Sequence, residues 1–76
     1  MTTWFIVIEG KPPIGNPIIV ENAENEIVTD SNHNLLTTVN FFKDLKLAKN
    51  SARNNSDRSI YAWRYGEKYA WYKRKY

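Results

Sequence analysis

The C-terminal stretch Ser59-Ile-Tyr-Ala-Trp-Arg-Tyr-Gly-Glu-Lys-Tyr-Ala-Trp-Tyr-Lys-Arg-Lys-Tyr76 constrains the fold more than any other part of the chain. Two runs of aromatic residues with high strand propensity flank Gly66-Glu67, a pattern that predicts an antiparallel β-hairpin over 58–75. The stretch holds two of the three tryptophans and all five tyrosines, and it closes on Lys73, Arg74 and Lys75.

The register of that hairpin decides which rings lie together. With Gly66-Glu67 as a two-residue loop, Tyr65 faces Lys68, Trp63 faces Ala70, Ala62 faces Trp71 and Tyr61 faces Tyr72, which sets large residues against small ones. A Tyr65-Gly66 loop instead sets Arg64 against Glu67 and Trp63 against Lys68, an ion pair and a cation-π contact. A three-residue loop from Gly66 to Lys68 sets Tyr65 against Tyr69 and Trp63 against Trp71. The first register is preferred. Under either two-residue loop the rings fall on both faces, so one face can pack on a helix while the other presents rings and cations to solvent. A slip by one residue exchanges the sets.

A chain of 76 residues makes a single domain with a small core, since a domain of this size buries only about 60% of the surface its unfolded form exposes. Some of the aromatic rings are therefore needed inside. Hydrophobic residues at 42% and charged residues at 25% are ordinary for a globular domain and argue against disorder throughout. The absence of cysteine excludes disulfides and thiolate metal sites, and no charged leader precedes a long apolar run, so a cytoplasmic location is expected.

The formal charge of +3 conceals a division along the chain. Residues 1–42 carry one lysine against five carboxylates, a balance of −4, whereas residues 43–76 carry ten cations against three carboxylates, a balance of +7. A basic, aromatic half points to an anionic partner, while the plainer account is that the lysines are solvated and keep the protein from associating.

Upstream, TTWFIVIE is a continuous apolar run that reads as a strand over 3–9, covered on both faces. Three prolines and two glycines make 10–17 a loop, with Pro12-Pro13 as a rigid connector rather than a polyproline ligand. Ile18–Glu21 and Glu26–Thr29 read as a hairpin over 18–29 around the turn Asn22-Ala-Glu-Asn25. Glu21, Glu24, Glu26 and Asp30 cluster there; their spacing lacks the glycine of a calcium loop, which makes them a solvated acidic turn or a docking patch.

Asp30-Ser-Asn-His-Asn34 supplies capping residues before Leu35, Val39, Phe42 and Leu45, joined by Phe41, Ala48 and Ala52, which form a stripe at spacings of three and four. That periodicity predicts an amphipathic helix over 35–53, with Lys43, Lys46 and Arg53 on its far side and Leu47 off the apolar stripe. His33, the one histidine, is assigned to capping or surface. The resulting fold class is α+β, with four to five strands in an antiparallel or mixed sheet packed on one helix in the order ββ(β)αββ.

No nucleotide-binding loop, nucleophile elbow or zinc motif occurs, and the paired carboxylates Glu24 and Glu26 lie on a turn with no pocket to split their pKa values. The aromatic strands also lack the pattern of an RNA-recognition strand, there is no GXXG loop, and one helix is too few for helix-turn-helix. The chain is therefore expected to be non-enzymatic, without cofactor or metal. The leading expectation is a binding module whose hairpin engages nucleic acid through Tyr61, Trp63, Arg64, Lys68, Trp71, Lys73, Arg74 and Lys75, extended by Arg53 and Arg58. The alternative is a protein-interaction module, an adaptor or inhibitor of a larger complex such as a nucleoprotein, of the kind mobile elements encode, because Tyr, Trp and Arg also dominate interface hot spots. Exposed strand edges at the chain ends would further permit a homodimer.

Overall fold

The computed structural model describes residues 2–11, 17–53, 55 and 57–73. Among them the elements run β1 (Thr3–Glu9), β2 (Ile18–Asn22), β3 (Ile27–Thr29), β4 (Leu35–Leu36), β5 (Thr38–Phe42), α1 (Leu45–Arg53), β6 (Arg58–Arg64) and β7 (Tyr69–Lys73). The strands form one antiparallel sheet of seven in the order β4-β3-β2-β7-β6-β1-β5. The α+β class holds, but the expected four to five strands are seven, and the expected order gives way to five strands, one helix and two strands.

β4 and β5 stand at opposite ends of the strand order, yet only Thr37 separates them in the chain. One strand residue advances about 3.3 Å, so the two edges of the sheet must come together and the sheet curls into a barrel. The Glu9 N–H donates to the Thr37 carbonyl at 2.8 Å and ties this corner to β1. Neither terminal strand lies at an edge: β1 sits between β6 and β5, and β7 between β2 and β6. β1 is paired on both sides and offers no free edge, whereas in β7 only Tyr69 and Ala70 have partners on both sides and Trp71 to Lys73 pair with β6 alone among the described residues.

Curling gives the sheet an inside and an outside, and each has its own core. Inside lie Ile6, Ile8, Ile18, Val20, Val28, Tyr61, Trp63 and Ala70, with Trp4, Ala23, Leu36 and Phe41 packed around them. Outside, Val7 and Ile60 meet Ala48 and Ala52 of α1, joined by Phe5, Val39 and Phe42. The unbroken apolar run of β1 follows directly: Ile6 and Ile8 point into the barrel and Phe5 and Val7 point at the helix. Alanines at the helix contact let its backbone approach the sheet closely.

The helix expected over 35–53 is observed only over Leu45–Arg53, nine residues. The preceding segment is β4 and β5, as Thr37-Thr38-Val39 would favour. Its helix-like spacing has a definite origin. Val7 pairs with Asn40 and Ile8 with Thr38, so Val39 is an extra residue, a β-bulge. The bulge resets the alternation and places Val39 and Phe42, three apart, on the helix side, while Phe41 turns inward. The residues thought to cap at 30–34 instead build a turn, in which Asp30 Oδ1 accepts the N–H groups of Asn32 and Asn34, both at 2.9 Å. The helix is capped by Asp44, whose Oδ1 accepts the Lys46 N–H at 2.8 Å.

Candidate functional site

The terminal hairpin pairs Tyr61 with Tyr72, Ala62 with Trp71 and Trp63 with Ala70, the preferred register of the three weighed above. Its turn differs from the two-residue loop. The Glu67 N–H donates to Arg64 O at 3.0 Å and Gly66 has φ +94°, so Tyr65-Gly66 forms the bend and the loop extends over the four residues 65–68. A positive φ at the third position of a turn is where glycine is required. The arrangement also brings Arg64 Nε to 3.9 Å from Glu67 Oε1, the ion pair of the second register realised within the first.

Alternation along β6 and β7 sorts the rings. Tyr61 and Trp63 point into the barrel, where Tyr61 is fully buried and Trp63 is 2% exposed. Both were expected as contact residues; both are core, because the interior of a seven-stranded barrel needs large side chains to fill it. The Trp63 Nε1–H donates to Glu67 O at 2.7 Å, which anchors the loop to the indole. Burial raises the Tyr61 pKa, with the neighbouring Tyr72 adding to the effect, so the phenol stays neutral; its Oη has no hydrogen-bond partner among the described residues. Tyr72 meets Tyr61 edge-on at 5.6 Å.

Trp71 and Tyr69 point the other way, to the outside of the barrel, and are 55% and 42% exposed. They stand on the same strand two residues apart, with ring centres separated by 6.4 Å and planes tilted by 48°. α1 packs on β1, β6 and β5, and on the strands beyond β6 the outer face keeps apolar side chains exposed. Besides the two rings these include Ile27 and, at 74% exposure, Leu35. Lys68 Nζ lies 5.4 Å from the centre of the Tyr69 ring, and Lys73 closes the far end of β7 opposite Ile60.

The other expected cations differ in availability. Arg58 is partly buried and engaged within the protein, donating from Nε to Glu9 Oε1 at 3.1 Å and from Nη1 to Ser51 O and Oγ at 3.1 and 3.2 Å. It therefore fastens the start of β6 to β1 and the helix. Arg53 is exposed at the end of α1, and Arg64 is exposed at the end of β6. Arg74 and Lys75 lie outside the described residues, as do Pro12 and Pro13.

A second aromatic group gathers at the Tyr65 end of the barrel and includes Trp4 and Phe41, which the sequence places in a covered strand and on the helix stripe. Trp4 pairs directly across from Trp63 on β1 and β6, a register the sequence does not disclose. Tyr65 stands 6.4 Å from Trp4 and 5.3 Å from Trp63, and Phe41 meets Trp63 edge-on at 5.7 Å. On one side, Thr2, Trp4, Lys43 and Tyr65 line an open cleft of about 420 Å³, with Lys43 Nζ 4.9 Å from the Trp4 ring centre. On the other, Trp4, Ala23, Glu26, Phe41, Trp63 and Tyr65 line a hollow of about 130 Å³.

The acidic turn is largely occupied by its own surroundings. Glu21 Oε1 accepts from Thr29 Oγ1 at 3.3 Å and lies 3.1 Å from His33 Nδ1, while the backbone N–H of Asn34 is the main cause of a lowered Asp30 pKa. Among the described residues no three metal-ligating side chains converge, and no helix is long and apolar enough to cross a membrane. Comparison with protein-family models, with curated proteins and with solved structures finds no match.

Proposed function

We propose that this domain is a non-enzymatic binding module that holds single-stranded nucleic acid against the outer face of β7. The observation that carries the reading is the exposed pair Tyr69 and Trp71, side by side on one strand with Lys68 and Lys73 at either end. Flat rings stack on unpaired bases with about 1 to 3 kcal/mol per base and tolerate any sequence, because every base has a π face. Cations beside them neutralise phosphates. Lys68 and Lys73 as two phosphate contacts give a slope of roughly −1.4 in log affinity against log salt, so affinity falls about 7-fold between about 50 and about 200 mM salt, and more steeply if a longer strand also reaches Arg53.

Titration of the tryptophan fluorescence with mixed-sequence single-stranded oligonucleotides at two salt concentrations tests this. Saturable quenching that weakens with salt is expected, and Trp71→Ala should abolish most of it. Absence of quenching at low salt removes the reading.

The second reading, an adaptor or inhibitor docked on a larger complex, is favoured by Leu35 and Ile27, exposed on the same outer face with no use for nucleic acid. Leu35→Lys separates the two. Oligonucleotide binding should survive it, whereas a protein partner seated on that face should be lost.

A further inference from the structure

We infer that the hollow at the Tyr65 end of the barrel is a binding site for an organic ammonium head group, of the quaternary or methylated-lysine type. Among the described residues its lining comprises the aromatic Trp4, Phe41, Trp63 and Tyr65, the small Ala23 and the acidic Glu26. Ring faces attract cations through their quadrupole, and recognition of quaternary ammonium groups by several rings at once is the general use of that attraction. At about 130 Å³ the hollow is well below the size of a pocket for a drug-sized ligand, roughly 300 Å³ or more, and suits a single head group.

The rings are held before any ligand arrives. Trp63 is fixed by burial and by its 2.7 Å hydrogen bond to Glu67 O, and Phe41 is set edge-on against it by the inward turn of β5 after the bulge. Tyr65 is the exposed lip, 54% accessible, and its N–H donates to Thr2 O at 3.0 Å. The electrostatics are divided by the wall that Trp4 and Tyr65 share. Lys43 lines the cleft on one side and Glu26 lines the hollow on the other, so among the described lining residues the cationic one belongs to the cleft and the acidic one to the hollow. Lys43, at 4.9 Å from the Trp4 ring, shows a cation seated on that indole within the molecule itself. The site shares no residue with the Tyr69 and Trp71 ledge, so either can fail without the other.

The test is a titration of the intact protein followed by NMR of the indole N–H signals of Trp4, Trp63 and Trp71. Choline, its neutral carbon isostere, a short peptide bearing trimethyllysine and the same peptide with unmodified lysine are the probes. The Trp4 and Trp63 signals should move saturably with choline or with the trimethyllysine peptide, the Trp71 signal should not, and the neutral isostere and unmodified lysine should bind more weakly. Tighter binding of the peptide than of choline identifies a methylated side chain as the ligand; equal or tighter binding of choline identifies a small quaternary amine. Glu26→Gln should weaken the cation by about three- to fivefold, the range of a partly exposed charge contact, and leave the isostere unchanged. Tyr65→Ala, at an exposed position, should weaken it further. The inference is overturned if neither cation moves the Trp4 and Trp63 signals, or if the neutral isostere binds as tightly as choline.

Discussion

The two tryptophans of the terminal hairpin should respond in opposite ways to removal. Trp63 is 2% exposed, packs between Ala70 on β7 and Trp4 on β1, meets Phe41 and Tyr65, and donates to Glu67 O. Truncating a buried tryptophan to alanine costs about 3 to 5 kcal/mol. A domain of 76 residues has roughly 4 to 11 kcal/mol in total at 0.05 to 0.15 per residue. Trp63→Ala therefore removes about a quarter of the stability at least, and at the lower end leaves the chain unfolded. Trp71 is 55% exposed and faces only Ala62 across the strand pair, so Trp71→Ala should cost no more than about 1 kcal/mol. Urea unfolding followed by far-ultraviolet circular dichroism, which does not depend on the indoles, reads the difference. With a slope near 1 kcal/mol per molar, the midpoint should fall by about 3 M or more for Trp63→Ala and by less than about 1 M for Trp71→Ala. Binding of oligonucleotide should show the reverse order wherever the Trp63 variant is still folded. Equal losses of stability, or a larger loss for Trp71, would refute the facing of the hairpin on which both proposed sites depend.

Asp44→Ala should lower stability by about 1 kcal/mol through loss of the helix cap, read as a drop in Tm of about 4 to 8 °C; no change would place the cap elsewhere. Gly66→Ala should cost about 1 kcal/mol by backbone strain alone, since φ is +94° and a Cβ there meets nothing within 4 Å, and Gly66→Asn should cost less; a loss far above that would reveal a packing role. The folded Asp30 carboxyl titrates below its ordinary 3.8 because the Asn34 and Asn32 N–H groups bind its ionised form. Its contribution is therefore complete above the unfolded value and vanishes as pH falls through the folded one; a carboxyl carbon NMR midpoint at or above 3.8 contradicts the turn. The Tyr61 phenol, raised by burial, should resist ionisation as pH passes the ordinary phenol value of about 10, and its contribution to stability is lost as pH rises beyond it. Ultraviolet titration showing every tyrosine ionising together in the folded protein would argue against that burial.

The parts of the fold legible in the sequence are those set by neighbouring residues. Large against small gives the hairpin register, because Ala62 and Ala70 leave room only for Trp71 and Trp63. The doubly apolar run of β1 correctly implies cover on both faces. What was hidden depends on contacts distant in the chain. A bulge at Val39 turned a strand's period into one resembling a helix, and within residues 35–42 only the β-branched run Thr37-Thr38-Val39 speaks for a strand without the partner strand. Barrel closure through Thr37 rests on two pairings that meet only in space, β3 with β4 and β1 with β5. The candidate site was legible in part for the same reason. Trp71, Lys68 and Lys73 follow from the hairpin itself, whereas the loss of Tyr61 and Trp63 to the interior follows from the barrel. Trp4 and Phe41 become site residues only once β1 lies beside β6 and β5.

Glu26 separates a requirement of the fold from a requirement of the proposed cage. Its backbone is left-handed, with φ +56°, and its N–H closes the turn onto Ala23 O at 3.4 Å. That conformation disfavours a residue with a Cβ by about 1 to 2 kcal/mol. Glycine removes the strain, and its freer unfolded chain takes back about 0.4 to 1 kcal/mol. Glu26→Gly should therefore raise stability by up to roughly 1.5 kcal/mol, several degrees in Tm, while removing the acidic side chain that lines the hollow. Glu26→Gln keeps the strain and removes only the charge, so it should leave stability within about 0.5 kcal/mol of the parent. If the carboxylate serves the ammonium site, both variants lose cation affinity and only the glycine gains stability. A glycine variant less stable than the parent would mean that the Glu26 side chain holds the turn together and offsets the strain of its backbone.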